Sequence, residues 1–165
     1  MDEQLSAAQE HEIVKRVLIV DDDQSIRCLL QMALESEGYQ VATAANGVAA
    51  LELLTSTEDT WIVLLDIMLP GLDGVEVCAR LWAAAPAAPR HRVALMTAGK
   101  LELTDCPPPA RTLLRKPFHL DTLSTLVTAL AYNQAVCANW PDQPEEPAAS
   151  GPHRSGHTAK ERADG

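Results

Sequence analysis

Carboxylate, hydroxyl and ammonium side chains stand at or just past the ends of four short apolar runs of this sequence. They are Asp21, Asp22 and Asp23 after the first run, Asp66 after the second, Thr97 after the third and Lys116 just past the fourth. Several carboxylates within a few ångströms of one another repel unless a cation lies between them. Oxygen ligands without a neighbouring His or Cys favour Mg²⁺ over zinc.

A lysine and a threonine opposite such carboxylates would donate hydrogen bonds to a tetrahedral oxyanion, for example a phosphoryl group. The simplest chemistry that this set supports is attack of one carboxylate on phosphorus, which gives an aspartyl phosphate. That chemistry requires the four apolar runs to end at the same place in the fold.

The hydropathy pattern alternates between short β-branched runs and stretches with helical spacing. Strands are predicted at 16–20, 39–44, 61–65, 92–96 and 111–115, and amphipathic helices near 26–34, 46–54, 75–82 and 120–130. This alternation is typical of an α/β fold with a parallel sheet covered on both faces. The functional crevice of such a sheet lies off the carboxyl ends of its strands, where we expect the polar residues to converge.

Local signals predict where these helices begin and end. Asp23 and Asp73 fit the role of a turn residue or helix N-cap, Asn46 is expected to open a helix, and Gly38 to close one. Between the fourth and fifth strands only residues 100–105 are available for a helix, because three consecutive prolines follow at 107–109. A helix there is predicted to be one or two turns long, or absent.

Charge and proline content divide the 165 residues into three parts. We expect an acidic extension at 1–12, a folded domain at 13–138 and a disordered, proline-rich tail at 139–165. The net charge of −10 argues against a protein that coats nucleic acid or an anionic membrane. Neither a membrane-spanning run nor a signal sequence is recognised, so we expect a cytoplasmic protein with four reduced cysteines.

Four segments, in order, resemble the receiver domain of bacterial response regulators, the CheY-like domain. They are VLIVDDD at 17–23, LDIMLPGLDG at 65–74, MTA at 96–98 and RKPF at 115–118, and the resemblance covers essentially all of 16–136. It implies a flavodoxin-like, doubly wound (β/α)5 sheet of five parallel strands, here with a short or missing fourth helix. It also implies a single-domain response regulator of a two-component system or phosphorelay.

The resemblance implies a phosphoacceptor and a metal site among the acidic residues. Asp66 would accept the phosphoryl group from a phosphohistidine on a sensor histidine kinase or a phosphotransfer protein. Mg²⁺ would be bound directly by Asp22, largely through water by Asp21, and also by Asp66 and the backbone carbonyl of Met68.

Thr97 and Lys116 would contact the phosphoryl group according to the same resemblance. Thr97 would move with that group, and the bond between Lys116 and Pro117 is expected to be cis. Members of the family commonly carry an aromatic residue three positions before the lysine, where this chain has Leu113. The switch expected at Thr97 and Leu113 therefore lacks a swinging aromatic side chain, although Leu113 could repack into space that Thr97 leaves.

Two further departures concern the lifetime of the phosphoryl group and the output surface. Positions that tune hydrolysis in the family hold Met68 and Gly99, and neither side chain orients water well, so we expect slow self-dephosphorylation. The surface around the fourth helix usually binds partners, and here we expect a different output face or one carried by residues 99–110.

Two other functions fit part of the pattern. A degenerate receiver that acts as a phosphorylation-independent interaction scaffold stays open, because the reporter aromatic is absent. A phosphatase of the haloacid dehalogenase type would need a second aspartate two residues after the nucleophile, where Met68 stands. We expect no turnover enzyme, no nucleotide site, no direct DNA binding and no membrane contact, but an unidentified protein target downstream.

Overall fold

Six strands of this chain form a parallel β-sheet. This computed structural model describes residues 13–85, 90–136 and 139–140. Its strands are β1 (Arg16–Val20), β2 (Gln40–Ala44), β3 (Ile62–Asp66), β4 (Arg92–Thr97), β5 (Ala110–Arg115) and β6 (Asn139–Trp140). The helices are α1 (Gln24–Ser36), α2 (Gly47–Ser56), α3 (Gly74–Ala84) and α4 (Leu120–Ala131). The strand order is β2-β1-β3-β4-β5-β6 with every pair parallel, so the predicted doubly wound α/β fold is confirmed.

Each face of the sheet carries its own apolar core. In β1, Val17 and Ile19 pack into the core under α1 and α4, whereas Leu18 and Val20 pack into the core under α2 and α3. All four side chains are fully buried, as expected where successive residues of a strand face opposite covered sides. Because the faces are closed, the strand ends are where polar side chains of the sheet can meet solvent.

The predicted helix boundaries depend on local hydrogen bonds that the structure contains. Asp23 accepts bonds from two backbone amides in the first turn of α1, and Asn46 and Asp73 each accept one at the starts of α2 and α3. Gly38 follows the C-cap of α1 with φ of +88°, a conformation that favours glycine. These N-caps and the glycine stop are confirmed. No helix in the described ranges is long and apolar enough to span a membrane.

Residues 98–109, here called the β4–β5 loop, take the place of a full helix. Within this loop Leu103–Asp105 form a single 3-10 turn, which confirms the predicted short element. Leu101, Leu103 and Cys106 are partly buried against the same core that contains Leu113 of β5. The loop thus covers β5 with apolar side chains where a helix would otherwise lie.

The sheet has a sixth strand, β6, that the sequence analysis did not predict. Its two residues pair in parallel with Leu113 and Leu114 of β5, and so satisfy backbone groups of a strand that would otherwise form an edge. Residues 139–140, the first two of the predicted tail, pair with the sheet. The predicted extension at 1–12 and the remaining tail, 141–165, lie outside the described residues.

His91 precedes β4, at the end of the sheet opposite the acidic residues, and its ring bonds to α2 and to the residue before β3. Its Nε2 lies 3.0 Å from the Leu54 carbonyl oxygen of α2, and its Nδ1 accepts a hydrogen bond of 3.4 Å from the Trp61 amide. This pairing assigns the proton of a neutral ring to Nε2. Burial lowers the pKa of His91, and the bond to Leu54 opposes that shift.

Candidate functional site

Asp66 is the last residue of β3, a central strand, and only 5% of it is exposed. The Met68 amide donates to Asp66 Oδ1 at 3.0 Å, and Lys116 Nζ donates to Asp66 Oδ2 at 2.9 Å. Both carboxylate oxygens thus have protein donors, which hold the side chain in one orientation at the carboxyl end of the sheet.

Three acidic side chains meet at this end of the sheet. Asp21, Asp22 and Asp66 each offer an oxygen, and these oxygens lie within 4.8 Å of one another. They converge because β1 and β3 are parallel neighbours whose carboxyl ends share one edge. Asp21 is buried, whereas Asp22 is exposed to solvent. Anionic oxygens held so close repel one another, and an all-oxygen set of this kind fits a divalent cation such as Mg²⁺.

Lys116 lies between two of these carboxylates. Its Nζ is 3.0 Å from Asp21 Oδ2 and 2.9 Å from Asp66 Oδ2. Burial disfavours the ammonium form, but the hydrogen bonds and charges of Asp66 and Asp21 outweigh burial and raise the pKa of Lys116. The lysine therefore stays protonated as the counter-charge of the cluster.

Some features of the Asp66 environment raise the pKa of its carboxyl group, and others lower it. Burial is the largest influence and raises the pKa of Asp66 above its ordinary value. The hydrogen bonds from Lys116 and from the Met68 amide oppose this shift, while the charge of Asp21 adds to it. Lys116 and the Met68 amide thus both favour the ionised carboxylate, the form in which Asp66 can act as a nucleophile.

Thr97 ends the neighbouring strand β4 and is 4% exposed. Its Oγ1 accepts a hydrogen bond of 2.9 Å from the Gly99 amide, so the hydroxyl is bonded to the β4–β5 loop. The Lys116 amide donates to the Thr97 carbonyl oxygen at 2.7 Å, which joins the ends of β4 and β5. The expected cis bond between Lys116 and Pro117 is present.

The two other predicted residues occupy contrasting environments. Met68 contributes its backbone amide to Asp66, while 76% of the residue is exposed. Leu113 is fully buried in the middle of β5, in the core beneath the β4–β5 loop. Its role in a switch stays a prediction.

Gly74 allows α3 to begin directly against Asp66. A Cβ at this position would lie 2.6 Å from the Asp66 carbonyl oxygen and 2.9 Å from the Ile67 Cα, closer than real contacts allow. The Gly74 amide also donates to the Ile67 carbonyl oxygen at 3.0 Å. The glycine therefore fixes the close packing of α3 on the strand end that carries Asp66.

Two arginines that the sequence analysis did not assign also contact the site. Arg27 of α1 donates to the Asp21 carbonyl oxygen at 2.7 Å. Arg115, the residue before Lys116, donates to carbonyl oxygens of Gly99 and Leu101. These three acceptors are main-chain oxygens, which no residue type or spacing in the sequence reveals.

An apolar groove of about 420 Å³ begins at Lys116 and runs between α1 and the start of α4. Six of its lining residues are Ile26, Leu29, Leu30, Pro117, Phe118 and Leu120. Leu29 is 54% exposed and Leu120 is 41% exposed. An apolar groove thus adjoins the acidic cluster.

Comparison with known proteins agrees with this geometry. The family model described as the response regulator receiver domain matches residues 17–128. Sporulation initiation phosphotransferase F of Bacillus subtilis is 39% identical over 116 residues, which cover 68% of this chain and 90% of that protein. The alkaline phosphatase synthesis transcriptional regulatory protein PhoP of the same species is 51% identical over 67 residues, 41% of this chain. The chain spans only 28% of the length of PhoP.

Among solved structures, the response regulator protein TrrA from Thermotoga maritima, in complex with Mg²⁺ and BeF, is similar to this chain. The TM-score is 0.61 at 34% sequence identity, and the match covers 71% of this chain and 99% of TrrA. The sequence match and the structural match thus both include the part of the chain that carries the acidic cluster.

Proposed function

The chain belongs to the response regulator receiver domain family, and on that premise we propose that it is a single-domain response regulator whose phosphoacceptor is Asp66. Receiver domains act in two-component signalling. The observation that carries the proposal is the position of Lys116 Nζ, 2.9 Å from Asp66 and 3.0 Å from Asp21. A nucleophile, its counter-charge and a cluster of oxygen ligands are thereby in one place. The match over 90% of phosphotransferase F supports a function as a separate receiver.

The proposed reaction transfers a phosphoryl group from a phosphohistidine to Asp66. A carboxylate oxygen of Asp66 attacks phosphorus, the new O–P bond forms, and the P–N bond to imidazole breaks. The imidazole nitrogen leaves with the electron pair of that bond. Lys116, already beside the carboxylate, pairs with oxygens of the incoming group, and Thr97 contributes its hydroxyl at the adjacent strand end.

Asp21, Asp22 and Asp66 are the side chains that would hold Mg²⁺, with the backbone carbonyl of Met68 as a further oxygen ligand. When bound, the ion would neutralise charge on the carboxylates and on the phosphoryl oxygens. Asp21 already accepts hydrogen bonds through both oxygens, from Lys116 and from the Asp23 amide, which supports contact largely through water. The exposed position of Asp22 supports a direct bond.

The donor protein is a sensor histidine kinase or a phosphotransfer protein, and the apolar groove along α1 is the surface that suits it. The phosphohistidine must reach Asp66, and the groove is continuous with Lys116, which contacts that carboxylate. Exposed Leu29 supplies apolar area for association next to the site of transfer. The name of phosphotransferase F fits a chain that exchanges phosphoryl groups with other proteins.

The aspartyl phosphate is proposed to be long-lived, and the chain is not assigned a turnover reaction. The exposed Met68 side chain is a thioether and Gly99 has no side chain, so neither orients a hydrolytic water. We expect a phosphorylated form that persists for minutes or longer in Mg²⁺. A lifetime of seconds would contradict this part of the proposal.

Intact mass after incubation with acetyl phosphate and Mg²⁺ tests the assignment. The wild-type protein should gain the mass of one phosphoryl group, and the gain should disappear with EDTA or in Asp66→Asn. Asp73→Asn is the matched control, because Asp73 caps α3 outside the acidic cluster. If the folded wild-type protein gains nothing, the assignment fails and the alternative of a phosphorylation-independent scaffold gains support.

A further inference from the structure

Arg115 fastens the end of β5 to the β4–β5 loop. Its Nη1 donates to the Gly99 carbonyl oxygen at 2.9 Å, and its Nη2 lies 3.3 Å from the Leu101 carbonyl oxygen. The same Nη2 forms an ion pair of 3.2 Å with Glu102. One planar guanidinium thus contacts three residues of the loop, an arrangement that a lysine ammonium does not reproduce.

Gly99 links this arginine to Thr97 through its amide and its carbonyl group. The Gly99 amide donates to Thr97 Oγ1 at 2.9 Å, while the Gly99 carbonyl oxygen accepts from Arg115. Thr97 and Arg115 are also register partners in β4 and β5. A rotation of the Thr97 hydroxyl towards Asp66 would break its bond with Gly99, and Arg115 would then be the contact that transmits the change to Leu101 and Glu102.

We propose that Arg115 is a positioning residue that couples the Thr97 hydroxyl to the β4–β5 loop, an inference that rests on the phosphoacceptor function of Asp66. Leu113 is fully buried beneath the loop and exposes no side-chain surface that could report the change directly. Arg115 immediately precedes Lys116 in the chain, and its half-buried side chain contacts the β4–β5 loop. It therefore connects the end of the sheet that carries Lys116 with the loop.

The main-chain contacts carry more of this coupling than the ion pair does. The Arg115 and Glu102 side chains are 31% and 56% exposed, and an exposed pair of this kind contributes little. Glu102→Gln should therefore weaken the coupling only slightly. Arg115→Ala removes all three loop contacts, and Arg115→Lys keeps the charge but not the planar fork.

Hydrogen–deuterium exchange of the 98–106 segment, with and without Mg²⁺ and beryllofluoride, tests the coupling. Bound beryllofluoride is counted separately by fluorine NMR. In wild-type protein, beryllofluoride should speed amide exchange in the 98–106 segment by about fivefold or more, because the Gly99 amide loses its acceptor. In Arg115→Ala the exchange should be fast in both states, so that the difference is lost while beryllofluoride still binds.

Arg111→Ala is the matched control, since Arg111 lies on the same strand and bonds to the Asn133 side chain instead of the loop. It should keep the full wild-type response, and Arg115→Lys should restore part of it. If Arg115→Ala speeds exchange equally in both states and leaves the difference intact, its role is structural and the inference is wrong. If wild-type protein binds beryllofluoride without a change in the loop, the inference also fails. Absence of binding to the wild-type protein would overturn the proposed function itself.

Discussion

Replacing Lys116 with methionine removes the cation between Asp21 and Asp66 while keeping a side chain of similar length. The ammonium contacts both carboxylates within 3.0 Å, and the side chains of the two acids are 1% and 8% exposed. The variant therefore leaves two nearly buried anions facing each other without their counter-charge. Asp22 adds a third carboxylate to the same cluster.

Removing one partner of a fully buried ion pair costs about 3–5 kcal/mol of folding free energy. The Lys116 side chain is 22% exposed, and water reaches part of this cluster. We therefore expect the free energy of unfolding in EDTA to fall by about 2–3 kcal/mol, below the fully buried range. In an Asp66→Asn background the same substitution should cost less, because only one of the two contacted carboxylates remains.

Urea unfolding followed by circular dichroism measures these differences. Lys100→Met is the control, because Lys100 is an exposed lysine outside the cluster and its loss should change stability by about 0.5 kcal/mol or less. Mg²⁺ should raise the unfolding free energy of Lys116→Met more than that of wild type, since the variant cluster has one positive charge fewer. A loss below about 1 kcal/mol, the value for an exposed pair, would refute the view that burial makes Lys116 the essential counter-charge.

Three further outcomes concern buried groups. Burial raises the pKa of the Cys78 thiol to about 12, so iodoacetamide should label exposed Cys28 and spare Cys78 in native protein; equal labelling by peptide mass would count against this. Burial lowers the pKa of His91 in the folded protein, so the unfolded chain takes up this proton at a higher pH than the folded protein does. The free energy of unfolding should therefore fall as the pH drops below about 6.5. His91→Asn should flatten that slope in urea titrations, and an unchanged slope would contradict the assignment. Leu113→Ala should cost about 3 kcal/mol in urea unfolding without abolishing Asp66 phosphorylation, and a cost below about 1 kcal/mol would show that the loop does not cover it.

The convergence of the acidic residues could be predicted because it follows from strand direction alone. Once β1 and β3 are parallel neighbours, Asp21 and Asp66 must meet at one edge of the sheet. The roles of Asp23 and Asp73 as N-caps were also predictable, since each depends on amides two or three residues away. Local and topological rules therefore account for the fold and for the acidic part of the site.

Other features depend on contacts that residue type does not encode. Arg115 and Arg27 bind main-chain oxygens whose positions exist only in the folded chain. The two-residue strand β6 has no periodic pattern, because its pairing depends on an open edge of β5. The Thr97 hydroxyl contacts Gly99, although the sequence could suggest only that it lies near the phosphoryl group.

Reduction of the phosphorylated protein with borohydride identifies the phosphoacceptor directly. The hydride converts an aspartyl phosphate to homoserine, so peptide sequencing by mass spectrometry identifies the residue that carried the phosphoryl group. After treatment with acetyl phosphate and Mg²⁺, phosphorylation of Asp66 predicts homoserine at position 66 and unmodified aspartate at positions 21, 22 and 73. Homoserine at any of those three positions, or aspartate alone at position 66 of a protein that gained phosphoryl mass, would contradict it.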